Sequence, residues 1–269
     1  MTAFQQPPPL VSIVMPSYQQ SRFLEEAVRS VLDRRQVAVE LLVMDPGSTD
    51  GSRELLLALQ VEYGDRLRLF FERDDGQSDA VNKGLALARG TVLGWLNSDD
   101  RLAPGALEKA VRYLNVPEPR WLYGRAGMID EHGGAMSSLI VTYKNWRGRR
   151  FSYLKLLTED FIPQMAVFWN RPMGELGGLL DIRKELDMDY DLWFRFARVA
   201  EPVVLTERLA DYRVHRDAKG STRTGEQLAA AFATARQYAA GLGMMGQLAL
   251  LVHLVFSWRT RVMYLFLKP

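Results

Sequence analysis

The 269-residue chain contains no cysteine, so neither a disulfide framework nor a thiolate metal site is open to it. That absence is compatible with a reducing compartment. Strong charge bias is missing too. Against 34 Lys and Arg stand 32 Asp and Glu, and the net charge of +2 is too mild to argue for nucleic acid, so no nucleic-acid partner is expected. Two glycine signatures are also lacking. No Gly-x-Gly-x-x-Gly follows the first apolar run, and no Gly-x-x-x-x-Gly-Lys-Ser/Thr occurs anywhere. This argues against a dinucleotide-binding domain and a P-loop NTPase. Met1–Pro9 has neither the basic nor the apolar stretch of a secretory signal, so a cytoplasmic location is expected. Finally, the apolar run Met244–Trp258, interrupted by Gln247 and His253, falls short of the roughly 20 residues that span a bilayer.

What is present describes an α/β chain. A hydrophobic share of 48% with 25% charged residues is ordinary for a protein that buries a substantial core. After a leader ending in Pro7-Pro8-Pro9, strand-like runs at Leu10–Met15, Val37–Met44, Leu67–Phe71 and Thr91–Leu96 alternate with helical spacing. The helices fall at Ser21–Asp33, with Ser21 as N-cap, at Ser52–Tyr63, and at Ser78–Ala88, ended by Gly90; another is expected over Pro104–Leu114. Four strand–helix units with short connections predict right-handed crossovers and a mostly parallel sheet with helices on both faces.

The fourth strand stops abruptly on Asn97-Ser98-Asp99-Asp100. Adjacent carboxylates at the end of a buried strand repel each other and resist desolvation unless a positive partner joins them. Mg²⁺ or Mn²⁺ carrying a diphosphate would serve, because these ions take oxygen ligands and share them with substrate phosphates. A solvated turn capping the next helix is the plainer reading. Tyr18, Asp45, Asp75 and Asp99 all follow predicted strands, however, and so share the sheet edge where such folds bind ligands. Convergence on one rim favours a site.

Four segments carry a resemblance. Val11–Tyr18, Val43–Gly51 and Asp75–Gly84 resemble successive motifs of family 2 glycosyltransferases, and Gly94–Asp100 is similar to that family's Asp-x-Asp metal motif. The resemblance covers roughly Val11 to His215. It implies a GT-A fold, an inverting mechanism, a nucleoside-diphosphate-sugar donor with UDP favoured, and a divalent metal, Mn²⁺ or Mg²⁺. Carried over, it puts Pro16, Tyr18 and Asp45 at the nucleotide base. Asp75, Asn82, Lys83, Asn97 and Ser98 then lie along the rest of the donor, and Asp99 and Asp100 hold the metal. Two departures stand out: Pro46 occupies a position often acidic, and Asn97 replaces the first acid of Asp-x-Asp.

In the second half, Trp121–Gly124 and Gln164–Trp169 read as strands that complete the sheet. Tyr143–Phe151 interleaves basic and aromatic residues. It reads either as a solvated loop or as a clamp in which Trp146 stacks on a sugar. Inverting transfer needs one carboxylate to take the acceptor hydroxyl's proton. Leu186–Phe196 is similar to the family's Glu-Asp-x-Asp-Leu-Trp helix start, which makes Asp189 the expected base, ahead of Asp191 and Asp187; Met188 stands where the family has Glu. Tyr212-Arg213-Val214-His215 resembles a late family motif. It makes Arg213 and His215, with Gln164, candidate diphosphate, metal or acceptor contacts.

The expected organisation is a catalytic domain over residues 1–222, its donor half near 10–115 and acceptor half near 116–222, followed by a helical segment, 223–269. Met244–Trp258 with Arg259 and Arg261 fits an interfacial helix or one packed on the catalytic domain or a dimer partner. The function expected is transfer of a sugar to a saccharide hydroxyl, with a lipid-linked acceptor and peripheral membrane association. A nucleotidyltransferase and a catalytically silent scaffold subunit are the rivals. Oligomeric state is open.

Overall fold

The computed structural model describes residues 10–33, 36–216 and 223–267. The proline leader lies outside them, as do the side chains of 262–267. Val11–Pro16 (β1), Val39–Met44 (β2), Leu67–Phe70 (β3) and Val92–Trp95 (β4) pair in parallel. The near-continuous burial of β1, β2 and β4 explains why they read as apolar runs, whereas β3, at the sheet's edge, is buried only at Leu67. Arg101–Leu102 (β5), Trp121–Ile129 (β6), Val167–Asn170 (β7) and Val203–Arg213 (β8) complete one sheet of order β3-β2-β1-β4-β7-β6-β8-β5. β7 runs antiparallel to β4 and β6, and β5 antiparallel to β8, whereas β6 and β8 are parallel. The carboxyl ends of β1, β2, β4, β6 and β8 therefore share one edge with the amino end of β7. The mostly parallel expectation holds, and this edge carries the site.

Ser21–Leu32 (α1), Ser52–Tyr63 (α2), Gln77–Leu87 (α3) and Ala106–Leu114 (α4) fill the crossovers. The cap assigned to Ser21 is corrected. Ser21 is the first helical residue of α1, and its N–H donates to Asp50 Oδ2 at 2.9 Å. Asp50 also accepts from Ser52 Oγ at 2.6 Å, so one carboxylate secures the amino ends of α1 and α2. These hydrogen bonds outweigh burial and hold its pKa down at about 2. Gly90 is corrected as well: α3 closes at Ala88, and Gly90 matters because a Cβ there would lie 2.6 Å from Ser12 N.

Two apolar layers pack on the sheet. One of them centres on tryptophan. Trp193 stacks between Trp95 and Trp121 at 5.8 Å each, with Phe196 edge-on to Trp169 at 5.5 Å. Aromatic pairs of this kind add about 0.5–1.5 kcal/mol each beyond their burial. They clamp Met188–Val199 (α8) to the sheet and so fix where its acidic first turn points.

The basic–aromatic stretch at 143–151 is largely helix. Leu139–Arg147 (α5) is followed by Tyr153–Thr158 (α6), and Arg171–Gly177 (α7) follows β7. Thr224–Ala239 (α9) and Gly243–Leu267 (α10) form the C-terminal segment. It packs on the catalytic half: Tyr238 stacks on Phe194 at 4.6 Å, and Arg259 pairs with Glu159 at 2.7 Å. His253 Nδ1 lies 2.9 Å from the Leu157 carbonyl. A carbonyl only accepts, so this nitrogen carries the proton, and burial keeps the ring's pKa below its ordinary value. No helix among the described residues is long and apolar enough to cross a membrane.

Candidate active site

The turns after β1, β2, β3 and β4 lie side by side along the carboxyl edge of the sheet. After β2, Asp45 is almost fully buried. Its Oδ1 accepts from the N–H groups of Gly47 and Ser48 at 2.9 and 2.7 Å, a turn that needs the positive φ of Gly47. Its Oδ2 has no hydrogen-bond partner among the described residues, nor does the buried Ser17 Oγ after β1. A buried carboxylate oxygen left open costs about 1–3 kcal/mol, so this part of the edge is built to receive a donor group. Tyr18 stands beside it, exposed at 61%.

At β4, Asn97 Oδ1 accepts from Gln77 Nε2 at 2.7 Å, and Asn97 Nδ2 lies 3.4 Å from Gln164 Oε1; Gln164 in turn donates to the Trp95 carbonyl at 2.9 Å. Residues from α3, β4 and the entry to β7 are thus joined by amides. Ser98 is buried in the same turn. Asp99 Oδ2 sits 3.0 Å from His215 Nε2, whose ring packs on Phe23 at 4.8 Å. Asp100 is buried and accepts from Arg213 N at 2.9 Å. Burial first, and the Asp99 charge second, push its carboxyl well above the usual range.

Arg213 is not exposed at that edge. At 1% exposure it donates to the Asp99 and Asp130 carbonyls at 2.7 and 3.0 Å and pairs with Glu26 at 2.5 Å, so it supports the Asp99 turn from beneath. Asn82 is likewise engaged. Its amide exchanges two hydrogen bonds of 2.9 Å with the backbone of Leu180, tying the donor half to the segment before α8. Lys83 pairs with Asp79 at 2.8 Å, and Asp75 is exposed beside them. Pro16 closes β1 beneath Tyr18. Trp146 projects from α5 with 59% exposure.

In the acceptor half, the first turn of α8 sorts its carboxylates. Asp191 is consumed: Arg195 Nε at 3.0 Å, Lys184 Nζ at 3.7 Å and the Tyr238 hydroxyl at 3.1 Å all address it. Asp187 is buried, with Lys184 4.0 Å away. Asp189 accepts from the Tyr190 N–H at 2.9 Å and has no ion pair within 4 Å among the described residues; burial raises its pKa above the ordinary carboxylate value, against the pull of the neighbouring backbone N–H groups and of the Lys144 charge. Met188, where the family has Glu, meets Ser78 Oγ at 2.7 Å, so the two halves touch beside Asp189. A residue absent from the sequence reading joins them. Burial, and then the Asp189 charge, push the Asp160 carboxyl up to about 7.

A mostly parallel sheet whose acidic carboxyl edge faces a second, acidic helix start is the arrangement of the GT-A fold. Residues 12–177 match glycosyl transferase family 2, and the chain belongs to that family. The match decides for glycosyl transfer over the nucleotidyltransferase reading. An uncharacterized glycosyltransferase of Rickettsia typhi is 28% identical over 82% of this chain and 68% of its own length. Two other Rickettsia relatives are longer, and the alignments span 32% of each. Among solved structures, a Pyrobaculum calidifontis mannosyltransferase in complex with GDP-Man and Mn²⁺ superposes with a TM-score of 0.66, at 18% identity over 92% of this chain and 74% of that one. S. aureus TarS 1-349 in complex with UDP-GlcNAc gives 0.65, at 12% identity over 90% of this chain and 70% of that one.

Proposed function

We propose that the chain is an inverting transferase that moves a sugar from a nucleoside diphosphate to a saccharide hydroxyl, with Asp189 as general base. One observation carries this. Asp189 is the carboxylate of its acidic turn that no cation holds within 4 Å among the described residues, while burial tunes its basicity upward. A base whose pKa approaches the working pH is the effective kind. Asp189 takes the proton as the acceptor oxygen attacks the anomeric carbon. The bond from that carbon to the diphosphate breaks on the opposite face, and its electron pair leaves with the diphosphate.

The open Oδ2 of Asp45 supports base recognition, since a carboxylate accepts the ring N–H of uracil or guanine alike. Neighbours solved with a UDP-sugar and with GDP-Man are consistent with either base, and UDP is our working choice.

Asp99 offers a hard carboxylate oxygen that suits Mn²⁺ or Mg²⁺, and His215, 3.0 Å away, an imidazole nitrogen that favours Mn²⁺ of the two. No group of three or more such side chains occurs among the described residues, so diphosphate oxygens would complete the shell. Asp100, committed to Arg213, would support rather than ligate. When bound, the cation offsets charge on the leaving diphosphate.

We assign residues 1–222 to catalysis and 223–269 to acceptor delivery. Met244, Met245, Leu248, Leu251, Val255 and Trp258 form an exposed apolar stripe on α10. The chain has no acidic residue after Glu226. Both features support docking on an anionic membrane surface and a lipid-linked acceptor.

Calorimetry with UDP, GDP and their sugars, with and without Mn²⁺, tests the reading. Metal-dependent binding of one base supports it. No binding of any nucleotide would leave a silent scaffold, with Asn97 and Met188 as marks of lost activity.

A further inference from the structure

A cavity of about 130 Å³ lies where α5, the 158–160 segment and the start of α8 meet α9 and α10. Three polar atoms of its lining residues are buried with no hydrogen-bond partner among the described residues: Asp160 Oδ1, Asp187 Oδ2 and Arg259 Nε. Asp187 itself is 5% exposed. Buried polar atoms are satisfied in nearly all folded proteins, so three orphans around one cavity call for an occupant that brings hydrogen bonds with it.

We propose that this cavity is a binding subsite for an uncharged sugar of the acceptor, read by Asp160 and Asp187. The inference rests on the glycosyl-transfer reading above and deepens it. A carboxyl accepts hydrogen bonds in either protonation state, and sugar hydroxyls both donate and accept; Asp160, whose carboxyl is pushed up to about 7, is a pure acceptor above that pH. Arg259 supplies the complementary donor, and its charge is already offset by Glu159 at 2.7 Å. The lining sets Glu159, Asp160 and Asp187 against Lys144 and Arg259, so the cavity offers an anionic sugar no net attraction and favours a neutral one. The place is right as well. Asp160 lines the cavity and lies close enough to Asp189 to feel its charge, so a ring held here brings its neighbouring hydroxyl towards the base. Leu228 and Ala231 of α9 form part of the wall, which makes the C-terminal segment a component of the subsite.

Saturation-transfer NMR on the full chain tests this with the methyl glycosides of glucose, galactose, mannose and N-acetylglucosamine, and with methyl glucuronide as the anionic control. The expected result is saturation of at least one uncharged glycoside and none of the glucuronide. Ala231→Trp, which fills the cavity from α9, should abolish the signal. At pH 8, where Asp160 is ionised, Asp160→Asn keeps the shape and removes the charge, and should weaken binding by about tenfold, as the loss of a charged hydrogen bond does. Absence of saturation in the wild type, equal saturation in both variants, or binding of the glucuronide as strong as that of the neutral sugars would overturn the proposal. Nucleotide binding measured on the same preparations keeps the two readings apart. Glycoside binding without nucleotide binding removes the transferase and leaves the subsite, whereas the reverse removes only the subsite.

Discussion

Asp189 and Asp191 lie two residues apart in one helical turn, yet their substitution should give opposite phenotypes. Asp191→Asn takes the charge from a buried carboxylate addressed by Arg195, Lys184 and Tyr238. Breaking a fully buried ion pair costs about 3–5 kcal/mol. The side chains of Arg195 and Lys184 retain 24% and 19% exposure, so water recovers part of their hydration. A loss of about 2–3 kcal/mol is expected after that discount. For a chain of this size it lowers Tm by roughly 5–10 °C. The contact to α9 loosens with it, but the proton acceptor stays in place. Asp189→Asn removes a charge that burial disfavours by more than the neighbouring backbone N–H groups and the Lys144 charge favour it. Its Tm should hold or rise, donor affinity should persist, and turnover should fall by about 10²–10⁴, the usual size of a general-base effect. Differential scanning fluorimetry, donor calorimetry and a radiolabelled sugar-transfer assay on the two purified variants decide the matter. Normal stability with lost turnover in Asp191→Asn, beside an active Asp189→Asn, would refute the assignment and move the base.

Further outcomes follow from the same geometry. His215→Ala should weaken Mn²⁺-dependent nucleotide binding by about 10–100-fold, a range that even outer-shell losses reach, while leaving metal-free binding unchanged in calorimetry; an unaltered metal response removes His215 from the site. Asp160 carries a folded-state pKa of about 7, raised by burial and by Asp189, with Lys144 acting against the shift. Its folded value lies above the unfolded one, so the stability tied to its proton is complete below about pH 4 and is lost as pH rises to about 7. Asp160→Asn should therefore gain on the wild type in urea melts across that window and keep a constant lead above it; parallel curves would contradict this. Leu251→Glu combined with Val255→Glu should abolish flotation with anionic vesicles without altering nucleotide binding, and a wild-type protein that never floats removes the membrane role.

The donor half was legible because its signals are local. Parallel strands covered on both faces read as apolar runs, each ends on its own polar turn, and alternation with helices places those turns on one edge. The acceptor half depends on contacts that no window of sequence contains. Tyr143–Phe151 reads as a charged loop until α10 is folded against it, more than 100 residues later, with Arg259 stacked on Tyr143 at 4.1 Å. Asp160 belongs to no motif, and its importance comes wholly from burial beside Asp189. Arg213 reads as a ligand contact because its partners, Glu26 and two carbonyls, come from three separate elements.

Asn97 shows how a departure from a motif can be understood only in place. An acid there would put a third carboxylate beside Asp100, whose carboxyl is already pushed up by burial and by the Asp99 charge. The amide instead donates towards Asp100 and accepts from Gln77, joining α3 to the metal turn without adding charge. What the substitution gives up is negative charge for a cation, which puts the burden of metal binding on Asp99, His215 and the donor's own diphosphate. On that argument, metal affinity should depend strongly on whether a nucleotide is present.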